Sequence, residues 1–289
     1  VGKPPMLRIH GLLEPAQLDP LSNTDIETMV KSILSKEEFH QLEKVGDIDR
    51  AISVKNIART RVNIFKSQGG YRLALRLLSD KIPTMEEIHL PTSIQNLVQK
   101  PRGLVLVTGP TGSGKSTTLA AMIDAINETR KGHIVTLEDP IEYIYSNKKS
   151  IVNQREIGSD SLSFSHGLRS VLRQDPDVIL VGEMRDLDTI QTAVTAAETG
   201  HLVLSTLHTL GGAKTIDRII DVFPPHQQEQ IRTQLSTVLE AVISQQLVPI
   251  EGRQGRRGVF EVMLGTPAIR NLIREGKTHQ IPTVIQDRK

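Results

Sequence analysis

The run Gly109-Pro110-Thr111-Gly112-Ser113-Gly114-Lys115-Ser116-Thr117 constrains this chain more than any other segment. Its first eight residues satisfy G-x-x-x-x-G-K-[ST] without a mismatch. Glycines at those positions let the backbone turn tightly and aim its N–H groups at phosphate oxygens. The positive end of a following helix adds to the attraction. The flanks agree with that reading, since residues 104–108 form an apolar strand pattern and residues 116–128 a helical one. The motif therefore predicts strand, phosphate-binding loop and helix, with 109–117 gripping a nucleoside triphosphate. Lys115 is placed to reach the β- and γ-phosphates and the Ser116 hydroxyl to ligate Mg²⁺.

Around this loop, strand and helix patterns alternate from residue 92 onward. Apolar strands are expected at 104–108, 133–137, 178–181 and 201–205, with helices near 162–173 and 186–199. Such alternation implies a parallel sheet covered by helices on both faces. After Pro224-Pro225 the apolar residues Ile231, Leu235, Val238, Leu239, Val242, Ile243 and Leu247 predict one long helix, followed by a strand at 258–263 and a helix at 267–275. The first 78 residues differ. They suggest a hairpin turning at Gly11, a helix over 22–42 opened by Ser22 or Asn23, and strands at 47–54, 57–67 and 71–78 with turns at Lys55-Asn56 and Gly69-Gly70. That is a small α+β domain, joined to an α/β domain at 92–289 by a polar, proline-bounded linker at 79–91.

Two further strands deliver acidic residues to the phosphate loop. Asp177-Val178-Ile179-Leu180-Val181-Gly182-Glu183 ends in Glu183, and in open α/β sheets ligands gather at the carboxyl ends of strands. Glu183 would face the Mg²⁺ shell through water. Glu138-Asp139-Pro140-Ile141-Glu142 brings more carboxylates to the same edge, and ATP hydrolysis needs one to orient or deprotonate the attacking water. A fourth strand ends at Thr206 and His208. A histidine there could sense the γ-phosphate, although a lone strand-end histidine is more often a simple hydrogen-bonding residue, and His201 invites the same reservation.

These elements, in this order, resemble the secretion ATPase superfamily that drives type IV pili and type II secretion, and within it the pilus retraction ATPases. The segments that carry the likeness are GPTGSGKST at 109–117, VTLEDPIE at 135–142, DPDVILVGEMRD at 175–186, HLVLSTLHT at 201–209 and AIRNLIRE at 268–275. Arg59-Thr60-Arg61-Val62-Asn63-Ile64-Phe65 is similar to a family strand that has Phe where Thr60 stands. The resemblance implies a RecA-like P-loop core with a smaller PAS-like N-terminal domain that begins somewhat before Val1. It further implies Glu142 as catalytic base, with Glu138 and Asp139 supporting metal and water. Glu183 becomes the second-strand glutamate, and His208 the sensor. Arg61 and Arg76 become arginines that reach a neighbouring subunit's nucleotide, with Arg59 and Arg102 as weaker candidates. Taken without the family, each of these arginines fits a solvated strand face. The family also implies a homohexameric ring that consumes ATP with Mg²⁺ and rotates one domain against the other. It would depolymerise type IV pili against an inner-membrane platform protein, from the cytoplasmic face.

Composition narrows the alternatives. Hydrophobic residues make up 38% of the 289 and aromatics only 3%, so the core must be aliphatic. The chain has no Cys, which excludes disulfides, a cysteine nucleophile and the four-cysteine zinc module usual in the related assembly and secretion ATPases. It also fits a reducing, cytoplasmic setting. No secretory signal opens the sequence, and its apolar runs are too short to span a bilayer. A formal charge of +2 and scarce aromatics disfavour a DNA-translocating motor, so no nucleic-acid partner is expected. Arg253, Arg256 and Arg257 form a basic cluster that fits a solvated hairpin tip. A non-enzymatic nucleotide-binding scaffold is the remaining alternative, and Lys115, Glu142 and Glu183 speak against it.

Overall fold

Strands β1 (Met6–Ile9) and β2 (Leu12–Pro15) pair antiparallel as the expected hairpin. The computed structural model describes residues 2–9, 12–54, 58–78, 81–251 and 255–286, without the side chains of 51, 53, 54, 58 and 59. Gly11, the Lys55-Asn56 turn, the Arg59 side chain and Arg253 lie outside the described residues. The chain divides after residue 80 into two units.

In the smaller unit, the helix expected over 22–42 is two helices, α1 (Asn23–Ile33) and α2 (Lys36–Val45). The break has a local cause. Ser35 accepts a hydrogen bond from the backbone N–H of Glu38, whose carboxylate in turn accepts from the Ser35 N–H. This capping box starts a second helix just as Ser22 and Asp25 start the first. Strands β3 (Asp47–Val54), β4 (Ala58–Ser67) and β5 (Gly70–Leu77) form an antiparallel meander. The helices cover the face that carries Ile48, Val62 and Ile64. Thr60, where the family strand has Phe, is buried on that face.

The larger unit begins within the expected linker: Met85 and Leu90 are buried in its core, so 81–91 is packed chain rather than a free tether. Helix α3 (Thr92–Gln95) leads to β6 (Gly103–Thr108), α4 (Lys115–Thr129), β7 (His133–Glu138), β8 (Ile151–Glu156), α5 (Phe164–Val171) and β9 (Val178–Val181). Then come α6 (Leu187–Glu198), β10 (Leu202–Leu207), α7 (Gly212–Asp221), α8 (Pro225–Val238), β11 (Leu239–Pro249), β12 (Arg256–Leu264), α9 (Pro267–Arg274) and α10 (Ile281–Gln286). The seven strands lie in the order β12-β11-β6-β10-β9-β7-β8, parallel except for the β11–β12 pair.

The long helix expected after Pro225 stops at Val238, and Leu239–Pro249 is a strand instead. A strand buried on both faces shows no alternation, so its apolar run can imitate a helical stripe. What decides is tertiary: this segment fills the slot between β6 and β12, with a bulge at Glu240. Along β6, Leu104 and Leu106 face one core with α5, α6 and α8, while Val105 and Val107 face the other with α3 and α4. Among the described residues no helix is long and apolar enough to cross a membrane.

Candidate active site at the carboxyl edge of the sheet

The phosphate loop joins β6 to α4. Gly109, Gly112 and Gly114 have φ of 144°, 79° and 88°, values that a side chain resists. Space matters as well: a Cβ on Gly109 would stand 2.2 Å from the Gln245 carbonyl oxygen, which belongs to the backbone of β11. Lys115 is buried, and its Nζ donates to the carbonyls of Gly109 (2.8 Å) and Pro110 (3.0 Å). Burial pushes the Lys115 ammonium below its ordinary pKa, while the nearby carboxylates of Glu183 and Glu142 oppose that shift. One cation in the loop thus feels both acidic strand ends.

Glu138 closes β7. Its Oε1 accepts from Thr136 Oγ1 (2.6 Å) and Gln154 Nε2 (3.1 Å), and its carboxylate also takes the backbone N–H of Glu142. Burial nevertheless raises its pKa, with the Glu142 charge adding to the rise. Asp139 is exposed and Glu142 half-buried. Glu183 follows β9, where its Oε2 accepts from Arg185 Nε at 2.8 Å and lies 3.4 Å from His208 Nε2. Gly182 explains how the two acidic ends come together. It donates to the Leu137 carbonyl at 2.8 Å, and a Cβ there would stand 3.1 Å from that oxygen and 3.4 Å from Glu138 Cα. The Thr206 hydroxyl ties β10 in by donating to the Gly182 carbonyl at 2.6 Å.

Lys115, Glu138, Glu142, Glu183 and His208 therefore gather on one edge of one sheet. His201 does not join them: it precedes β10 at the opposite edge, with Nδ1 2.8 Å from the Ala196 carbonyl, a plain structural contact. Arg102 precedes β6 at that same far edge. In the smaller unit Arg61 and Arg76 are direct cross-strand neighbours; Arg61 Nε lies 3.6 Å from Asp49 Oδ1, and Arg76 is exposed. Arg256 and Arg257 are exposed at the start of β12.

Residues that the sequence reading passed over complete the edge. Gln245 is buried in β11, where its Oε1 accepts from Thr118 Oγ1 at 2.7 Å; a Cβ on Gly114 would stand 2.8 Å from its Nε2. Tyr143 places its hydroxyl 3.0 Å from Thr117 Oγ1, linking the acidic loop to the phosphate loop. Gln154 and Glu156 reach the acidic loop from β8. A glutamine pair inside an otherwise apolar run was the only signal for Gln245, and the polarity of 153–156 hid both β8 and its contacts.

A strand–loop–helix cradle with a buried lysine, set beside carboxylates from two other strand ends, defines a RecA-like P-loop ATPase. The Type II/IV secretion system protein family matches residues 40–289, and the chain belongs to it. Over 285 residues it is 50% identical to the "Type IV pilus retractation ATPase PilT" of Pseudomonas aeruginosa, covering 99% of this chain and 83% of that protein. A "Twitching motility protein" of Neisseria gonorrhoeae is 49% identical over 98% of this chain and 75% of its own length. A crystal structure of the pilus retraction motor PilT with bound ADP is similar at TM-score 0.94 and 49% identity, covering 99% of this chain and 83% of that one.

Proposed function

We propose that this chain is a Mg²⁺-dependent ATPase motor that retracts type IV pili as a homohexameric ring at the cytoplasmic face of the inner membrane, working against a platform protein there. The observation that carries the proposal is the shared edge at which Lys115 feels both Glu142 and Glu183. The 50% identity to a pilus retraction ATPase over 99% of this chain supports retraction as the direction of the work.

Each residue then has a task. Backbone N–H groups of 109–117 hold the triphosphate, and Lys115 neutralises charge on the transferring phosphoryl group. Glu142 takes the proton of the attacking water from its half-buried place in the loop after β7. Glu138 hydrogen-bonds the backbone that carries Glu142. His208 meets Glu183 and can report loss of the γ-phosphate to β10. Arg61 and Arg76 act on the nucleotide of a neighbouring subunit, and rotation between the two units does the pulling.

Mg²⁺ fits the donor set. Among the described residues no group of three or more His, Cys, Asp or Glu could hold a metal alone. A Mg²⁺ that takes most of its ligands from phosphate and water needs only hard oxygens nearby. Ser116 would hold it directly, Glu183 through water, and Glu138 and Asp139 stand on the same side. When bound, the ion would supply positive charge to offset that of the triphosphate.

The test is ATP turnover with and without Mg²⁺, measured against protein concentration alongside the mass of the assembly. Turnover per subunit should rise as rings form, and Lys115→Ala should lower it by about 100-fold or more. A Lys115→Ala protein with unchanged nucleotide affinity and phosphate release overturns the proposal.

A further inference from the structure

Strand β8 is the polar edge of the large sheet, and Gln154 and Glu156, two residues apart, share one of its faces. Both side chains reach the loop between β7 and β8. Gln154 Nε2 donates to the Tyr143 carbonyl at 2.7 Å and to Glu138 Oε1 at 3.1 Å, while its Oε1 accepts from the Tyr145 N–H at 2.9 Å. Glu156 Oε2 accepts from the Ile141 N–H at 3.1 Å. The residues on both sides of Glu142 are thereby held through their backbones, and the N–H of Glu142 itself goes to the Glu138 carboxylate.

Residues 139–150 form no helix and no strand, so no regular ladder fixes Glu142. Its place depends on these side-chain contacts. Gln154 spends one amide hydrogen and its carbonyl oxygen on that loop and the other hydrogen on the end of β7, so a single side chain ties Tyr143 and Tyr145 to Glu138. Proton abstraction tolerates little play, because a base must lie within hydrogen-bond reach of its proton, and a shift of about 1 Å can cost on the order of 100-fold in rate.

We propose that Gln154 is a positioning residue for ATP hydrolysis, setting where Glu142 stands, with Glu156 as a second hold on the same loop. The inference rests on Glu142 being the base. A purely structural Gln154 would disturb nucleotide binding and thermal stability along with turnover, whereas a positioning residue disturbs turnover selectively.

The test compares full-length wild type, Gln154→Ala, Glu142→Ala and the double variant by kcat, KM for ATP, ADP affinity and melting temperature. Gln154→Ala should lower kcat by about 10-fold or more. Its KM and ADP affinity should stay within about two-fold of wild type, and the double variant within about two-fold of Glu142→Ala, because both changes remove one function. Should Gln154→Ala fail to fold, Gln154→Met, of similar volume and without donors, carries the same expectations. Wild-type kcat in the Gln154 variant overturns the proposal; so does a parallel fall in kcat and ADP affinity, or multiplicative losses in the double variant. Glu142→Ala turning over at the wild-type rate removes the reading beneath it, whatever Gln154 does.

Discussion

Glu138 ends β7 with its carboxylate recessed beside Thr136, Gln154 and the N–H of Glu142, and burial raises its pKa above the ordinary 4.5 even though those hydrogen bonds pull it down. The consequence for stability has a definite sign. A carboxyl group whose folded pKa is raised binds its proton more tightly in the folded chain. Its contribution is therefore fully present below pH 4.5 and fades as the pH climbs through the raised value. Replacing it with an amide removes that loss while keeping an oxygen to accept from Thr136 and Gln154. Thermal melts across this range should show Glu138→Gln gaining on wild type as the pH rises from 4.5 to neutrality. Parallel curves would mean that the carboxyl titrates alike folded and unfolded. The same reasoning applied to Lys115 gives the opposite charge and the same cause, since an ammonium withdrawn from water also resists ionisation, and here two carboxylates hold that resistance in check.

Elements decide how closely such groups approach, and Gly182 shows it best. The residue before Glu183 is a glycine, and the reason for it is visible where β7 and β9 close on one another at that point. Gly182→Ala should push the Leu137–Glu138 backbone outward by a few tenths of an ångström, at a cost of about 1–3 kcal/mol. Turnover should fall by about 10-fold or more, with nucleotide affinity nearly kept, because the phosphate loop lies elsewhere. A variant that keeps wild-type kcat would show the gap between the acidic ends to be uncritical. How much of this was legible in sequence follows from how local each signal is. The loop Gly109 to Thr117 and the strands before the two acidic ends were readable because adjacent residues carry their meaning. The capping box at Ser35 was equally local and split a helix that apolar spacing alone ran together. By contrast, Leu239–Pro249 reads as helix until β6 and β12 lie on either side of it, and Gln245 acquires its role only from Thr118, a residue 127 positions away. Strand β8 is polar because it is an edge, so hydrophobic patterning had nothing to detect.

For the whole molecule the central question is whether a site is completed by a second copy. Arg61 and Arg76 face each other across β4 and β5, an arrangement of like charges that costs stability unless an anion or carboxylate answers it. Asp49 answers Arg61 only loosely, at 3.6 Å, and Arg76 is exposed. A planar cation offered to a neighbour's γ-phosphate would use that surplus, and an arginine of this kind is worth on the order of 10³–10⁵ in kcat. In the proposed ring, if it closes head to tail, each site would take its phosphate loop from one subunit and its arginines from the next. Lys115→Ala alone and Arg61→Ala with Arg76→Ala alone should therefore both be nearly inactive. Co-assembled in equal amounts, they should regain activity, because some interfaces then join an intact loop to intact arginines. Random mixing places both intact parts at about one interface in four, so roughly a quarter of wild-type turnover is expected if sites fire independently, and less if they fire in concert. A mixture no more active than its separate components, with co-assembly verified by mass, would assign the arginines to the subunit that carries them and remove the need for a shared site.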